Sequence, residues 1–213
     1  MPRQHPKNSL AIDLFRHAEA TVREAGYAWE IEWQKSRRFG HFDEPEFLRE
    51  AAWVVLNSGF RESVIRKKFS YISLCFCDWE SAKEITAHQK QCIATAFAAF
   101  RSERKLNAIA RIAEIIDDIG FEPFRSQVWS DPIQTLRKLP FIGPITSWHL
   151  AKNLGVDVAK NDRHLERLAK HCGYFDAQAL CDFLADRTGE TRAVVDLILW
   201  RSATLKHGSL LPA

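Results

Sequence analysis

No stretch of the 213 residues is long and apolar enough to read as a membrane-spanning helix. No signal-peptide pattern is present, and the five cysteines (Cys75, Cys77, Cys92, Cys172, Cys181) are odd in number and scattered. Together these features point to a reducing cytoplasm and exclude a disulfide-stapled fold. Low-complexity linkers and long-period repeats are missing, which excludes arrays and solenoids. Two-residue alternation bounded by turns is missing as well, which leaves an all-α class. What is present fits one globular unit: 46% hydrophobic and 27% charged residues, with a net charge of +3. The mild positive charge allows a nucleic-acid partner without requiring one. The segment Ser130 to Cys172 holds seven of the basic residues against four acids, an excess equal to that of the whole chain.

That segment is the most informative. Ser130-Asp131-Pro132 starts a helix, the Ser130 hydroxyl capping it with Asp131 and Pro132 in the first turn; its apolar positions are Ile133, Leu136 and Leu139, and Pro140 stops it. Gly143 supplies backbone freedom at a tight turn, and Pro144 suits the first turn of a second helix running to about Leu154. Ten helical residues carry the chain roughly 15 Å away. The seven residues from Gly155 to Asn161 span up to about 23 Å when extended, enough to return Asp162 to the turn. Amides at such a turn suit a phosphate, and a carboxylate within reach suggests chemistry on a nucleic acid.

The order Leu139-Pro140, Ile142-Gly143, Thr146, then Asp162-Arg163-His164-Leu165 and Arg167 resembles the helix-hairpin-helix DNA glycosylase superfamily, which includes endonuclease III and the adenine and alkyladenine glycosylases. The resemblance covers about Ser130 to Leu168. It implies two helical lobes with a DNA-binding groove between them, and a hairpin of Leu139, Pro140, Phe141, Ile142, Gly143, Ile145 and Thr146 that holds a DNA phosphate, helped by Arg163 and His164. It also implies that Asp162 is the catalytic residue.

Two departures carry meaning. Phe141 stands where the family's hairpin usually has its first glycine, and Ile145 stands where members with lyase activity carry a lysine. Without that amine the usual Schiff-base route is closed. The resemblance therefore implies a monofunctional DNA N-glycosylase, a hydrolase of base-excision repair that releases a flipped, damaged base. No cysteine follows Cys181, so no iron–sulfur cluster is expected, nor any metal. Cys75-Phe-Cys77 is too close and too isolated for zinc and reads as buried thiols. No cofactor is expected, a monovalent cation at the hairpin being the one exception left open. A faint similarity to the 3-methyladenine glycosylase I branch, through Glu30-Ile-Glu-Trp33, lacks that branch's core-helix glutamate (Val54 here) and its terminal zinc ligands.

Several residues keep two readings. Asp162 is the carboxylate that stabilises positive charge on the sugar, or the N-cap of the next helix, and the two roles are compatible. Lys160 contacts phosphate, or attacks the sugar and restores lyase activity. His164 touches a phosphate or caps the turn. Trp29 and Trp33 form an aromatic wall for the flipped base, or pack on a core face. Asn57, Ser58 and Phe60 plug the gap left by that base, or form an ordinary glycine-ended helix terminus. The basic corner from Arg101 to Lys105 contacts the DNA backbone or is a solvated helix junction.

Along the rest of the chain, residues 1–9 read as a loose terminus, and Leu10, Leu14, Ala18 and Val22 as one helical stripe. Asp43 opens a central buried helix, and a short basic helix follows it. A long helix running to Phe100 starts at Asp78 or Ser81, burying Ile85, Ile93, Ala96 and Phe97. Another helix lies around Leu106 to Ile116, and Phe121 to Trp129 is a connecting segment. Helices at Leu165, Asp176 and 190–205 close the chain. Residues 1–213 thus form one glycosylase-like unit, with lobes approximated as 27–129 plus 173–213 and 130–172. The expected partner is double-stranded DNA with a damaged base, met by a monomer without membrane contact, in the cytoplasm and on the nucleoid if the source is bacterial. The alternative is a noncatalytic helix-hairpin-helix DNA-binding protein, and a third reading is a hairpin that meets a protein partner.

Overall fold

The computed structural model describes residues 6–205, which are all-α, with no strand among the described residues. In chain order the helices are α1 (Pro6–Glu24), α2 (Ala28–Ser36), α3 (Glu44–Asn57), α4 (Glu62–Cys75), α5 (Ala82–Ala87), α6 (Gln89–Ala99), α7 (Glu103–Ile119), α8 (Phe121–Ser130), α9 (Pro132–Arg137), α10 (Pro144–Asn153), α11 (Arg163–His171), α12 (Ala177–Thr188) and α13 (Arg192–Thr204), with a short 3₁₀ turn at Cys77–Trp79. None is long and apolar enough to cross a membrane. The chain forms two compact units. The middle, Arg38–Leu154, makes one, and the described residues on either side of it make the other. These boundaries differ from the lobes read from the sequence: the segment of Asp162 groups with the two chain ends, and the hairpin with the middle.

In the unit built from both ends, α1 packs on α13, and α11 and α12 complete the bundle. Its core joins Ala11, Leu14, Phe15, Ala18 and Val22 of α1 to Leu165, Leu168, Leu180, Leu184, Val194, Val195, Ile198 and Leu199. The amino-terminal reading is corrected here. Helix already begins at Pro6 within the stretch expected to be loose, and Leu10 is 41% exposed because the buried stripe runs through Ala11 and Phe15 instead. Residues 1–5 of that stretch lie outside the described residues.

In the middle unit α3 is central, as its nearly all-round apolar character requires. The Asp43 carboxylate accepts the Glu46 amide at 2.9 Å, and Phe47, Leu48, Ala51, Ala52, Val54, Val55 and Leu56 are buried. Glu50 is buried too, its carboxylate accepting from the Asn153 side chain of α10 at 2.8 Å. Two expectations fail in this unit. The long helix to Phe100 is broken: Ser81 caps α5, His88 leaves helical geometry, and α6 follows. The break shifts the phase of the buried face, so Cys92 and Ala96 are inside while Phe97 is exposed and Ile93 half-buried. Phe121 to Trp129, expected to be a connector, is helix α8; Pro123 sits in its first turn, where proline costs nothing, and Phe124 and Val128 bury one side.

Candidate functional site

The hairpin follows from its local signals. Asp131 caps α9 through the Gln134 amide at 3.2 Å, and α9 ends at Arg137 because Pro140 disfavours helical backbone at the residue before it. Leu139 and Ile142 are buried and bridge the turn through the Ile142 amide, which donates to the Leu139 carbonyl at 3.1 Å. Phe141 and Ile145 are exposed, with Pro140 half-buried between α9 and the turn. The residue that takes the left-handed backbone is Phe141, at φ +61, whereas Gly143 is extended at φ −95. The freedom expected of Gly143 is therefore not what the turn uses. A side chain has been forced into the conformation that glycine adopts freely, with the Arg104 guanidinium 5.7 Å from the centre of the Phe141 ring.

Thr146 closes the hairpin: its hydroxyl oxygen accepts the Gly143 N–H at 2.6 Å. That amide is thus already engaged. The amides of Ile145 and Thr146 open α10 with no backbone acceptor among the described residues. Combined with the positive end of α10, they suit an oxyanion.

In the other unit, Asp162 is the N-cap of α11. One carboxylate oxygen accepts the His164 amide at 2.9 Å and the Leu165 amide at 3.2 Å, and the other lies 3.0 Å from Lys160 Nζ. Burial alone pushes this carboxyl up, but the Lys160 ammonium and the two amides outweigh it and hold the group below its ordinary value. Asp162 is therefore an ionised carboxylate in a mostly enclosed position.

Lys160 is 8% exposed. Its backbone N–H donates to the buried Asp196 carboxylate at 2.7 Å, and its ammonium stands 5.1 Å from the centre of the Trp200 ring. Burial lowers the pKa of the half-buried His164, with Arg163, Lys160 and Arg167 adding to the effect and Asp162 opposing it. Arg163 is exposed.

The remaining candidates separate. Trp29 is 52% exposed, which overturns the reading of the Trp29 and Trp33 pair as core: α2 buries Glu30, Ile31 and Gln34 instead, and Trp33 is half-buried with the Arg37 guanidinium 5.4 Å from its ring. Asn57 ends α3, its side chain donating back to the Trp53 carbonyl at 2.9 Å. Ser58 is half-buried, and Phe60 projects from the surface against Phe100, their ring centres 5.2 Å apart. Cys75 and Cys77 are partly exposed rather than buried, and Cys92, Cys172 and Cys181 are buried.

Sequence reasoning missed three supports. Lys105, counted among the basic corner, is buried, and its ammonium donates to the carbonyls of Val55 at 2.7 Å, Leu56 at 2.8 Å and Ser58, which fixes the end of α3. Arg201 forks onto Glu30 with bonds of 2.7 and 2.6 Å. Asp196 and Trp200 both come from α13 to hold Lys160. Only the apolar run of α13 hinted at the last of these, through the one acid it contains.

No family model matches the sequence, and no curated protein matches it. Solved structures do. An 8-oxoguanine DNA glycosylase of Thermotoga maritima superposes with a TM-score of 0.64 at 19% identity, over 95% of this chain and 100% of the other. This chain has its fold. An 8-oxoguanine glycosylase/lyase of Methanocaldococcus jannaschii, in complex with a 15-mer DNA containing 8-oxoguanine, matches with a TM-score of 0.55 at 16% identity, over 92% of this chain and 98% of that one. The shared fold covers more than nine-tenths of the chain, well beyond the segment that carried the sequence resemblance.

Proposed function

We propose that this protein is a DNA glycosylase of base-excision repair, a hydrolase that binds double-stranded DNA as a monomer and releases a damaged base. The observation that carries the proposal is Asp162: an enclosed carboxylate kept ionised at the start of α11, in a chain with the fold of two 8-oxoguanine glycosylases. Breaking an N-glycosidic bond builds positive charge on the sugar. A fixed carboxylate beside the sugar stabilises that charge and orients the attacking water. The first-turn amides of Ile145 and Thr146 at α10 suit a DNA phosphate, and Arg163 adds an exposed positive charge near the carboxylate. Of the damaged bases, 8-oxoguanine is the first candidate, because both structural neighbours are named for it.

The reaction we favour is monofunctional. Ile145 offers no amine at the hairpin, and the Lys160 amine, held in an ion pair with Asp162, offers no free electron pair to the sugar carbon. In this reading Lys160 keeps Asp162 charged and in place, with neither metal nor cluster in the step and a cytoplasmic setting, on the nucleoid if the source is bacterial.

The test is base release from duplexes carrying single lesions, 8-oxoguanine first, read with and without hot alkali. Strand cleavage only after alkali, abolished by Asp162→Asn with DNA affinity retained, is the expected result. Asparagine also caps helices, so this substitution keeps α11. Cleavage without alkali, trapped as a covalent adduct by borohydride and lost in Lys160→Met, replaces the monofunctional reading with a lyase. Salt-sensitive binding without release from any lesion replaces it with a noncatalytic DNA-binding protein.

A further inference from the structure

The turn between α4 and α5 is built against local preference. Cys77, Asp78 and Trp79 have successive φ values of +53, +48 and +66, a run that L-residues rarely adopt even singly. Packing holds it there: Trp79 is buried, stacks on Phe76 with ring centres 5.4 Å apart, and donates from its indole N–H to the Ser73 hydroxyl at 2.8 Å. The effect is to turn the Cys77 thiol towards the junction of α5 and α6.

Two further donors converge at that junction, and a second thiol stands beside the first. The ligand atoms of Cys77, Glu84 and His88 all lie within 4.8 Å of one another, and the His88 ring nitrogen is 3.4 Å from the Glu84 carboxylate. Cys92 Sγ lies 4.0 Å from Cys77 Sγ. Two thiolates sharing a tetrahedral ion at Zn–S distances of about 2.3 Å stand about 3.8 Å apart. Glu84, His88 and Cys92 follow one another at four-residue spacing, which keeps them on one side through the helix break at His88. Glu84 and His88 are exposed, which leaves the donors open to solvent on one side.

We propose that Cys77, Glu84, His88 and Cys92 form a binding site for a zinc-class divalent cation. Two sulfurs, an imidazole and a carboxylate select a borderline-soft ion over magnesium or calcium, which favour all-oxygen shells. The site fastens the strained turn to the break between α5 and α6. It is independent of the glycosylase chemistry and revises the reading of Cys77 as a plain buried thiol.

The test is cobalt(II) titration of the full-length, reduced, metal-free protein, followed by zinc displacement. The expected result is one cobalt per chain with an intense sulfur-to-cobalt charge-transfer band that zinc removes. Cys77→Ser and Cys92→Ser should weaken the band sharply, and His88→Ala, at an exposed position that leaves the fold intact by circular dichroism, should weaken binding at least about tenfold. Cys172→Ala and Cys181→Ala should bind as the wild type does. Absence of the band in the wild type overturns the proposal, as does unchanged binding in folded His88→Ala.

Discussion

Lys160 Nζ lies 3.0 Å from Asp162 Oδ2, and this pair sets the charge of the proposed catalytic carboxylate. Because the folded pKa of Asp162 is lowered, its charge is kept above the unfolded value and is lost only as pH falls through the folded one. In Lys160→Met the burial of Asp162 loses its main opposing charge. The acid limb of the base-release rate should then move to higher pH, while Lys160→Arg keeps it near the wild-type position. A single-turnover pH profile of the three proteins is the check, and coincident acid limbs would falsify the role given to Lys160.

Glu30 and Arg201 form a buried, two-bond ion pair between α2 and α13, with the guanidinium also 4.4 Å from the Tyr27 ring centre. Removing one partner leaves the other charged and enclosed. Arg201→Met should cost about 3–5 kcal/mol in urea unfolding, and adding Glu30→Met should recover a sizeable part of that loss.

Lys105 supplies the donor for three carbonyls at the end of α3, so Lys105→Met should lose about 2–4 kcal/mol. Burial pulls the ammonium down to about 8 from the ordinary 10.5. Between those values the unfolded chain binds more protons, so stability rises with pH there. The wild-type advantage over Lys105→Met should therefore widen from pH 8 towards 10.5. A constant difference across that window would argue against a depressed pKa.

Gly40 leaves no room for a side chain. Its φ is +83, and a Cβ there would stand 2.1 Å from the Trp129 ring, which stacks on Phe39 with centres 4.9 Å apart. Gly40→Ala should destabilise the middle unit by about 1–3 kcal/mol. In a double-mutant cycle with Trp129→Ala most of that loss should disappear, leaving the backbone cost of the positive φ.

How far the sequence revealed all this depends on the range of each signal. The caps at Asp43 and Asp162, and the start of α10 at Pro144, are local devices and lie where their residue types place them, whereas α9 is capped by Asp131 and not by Ser130, which ends α8. Phe141 shows the limit of such reading. Glycine marks left-handed backbone only by preference, and here packing imposes that backbone on a phenylalanine while Gly143 stays extended. Trp29 fails for a related reason: four-residue spacing says that Trp29 and Trp33 share a side of α2, not which side is buried. The Glu30 to Arg201 pair spans 171 positions, a distance over which no pattern in the chain foretells a contact.

That separation has a further consequence for synthesis. Helices α1 and α2 are made before the middle unit, yet the core they complete depends on α11 to α13, which are made after it. The middle unit, made between them, has its own buried core around α3. At typical elongation rates of about 5–20 residues per second, the apolar stripe of Ala11, Phe15 and Val22 waits roughly 10–40 s for α13. During that window the apolar stripe of α1 stays open, a target for chaperones and for aggregation alike.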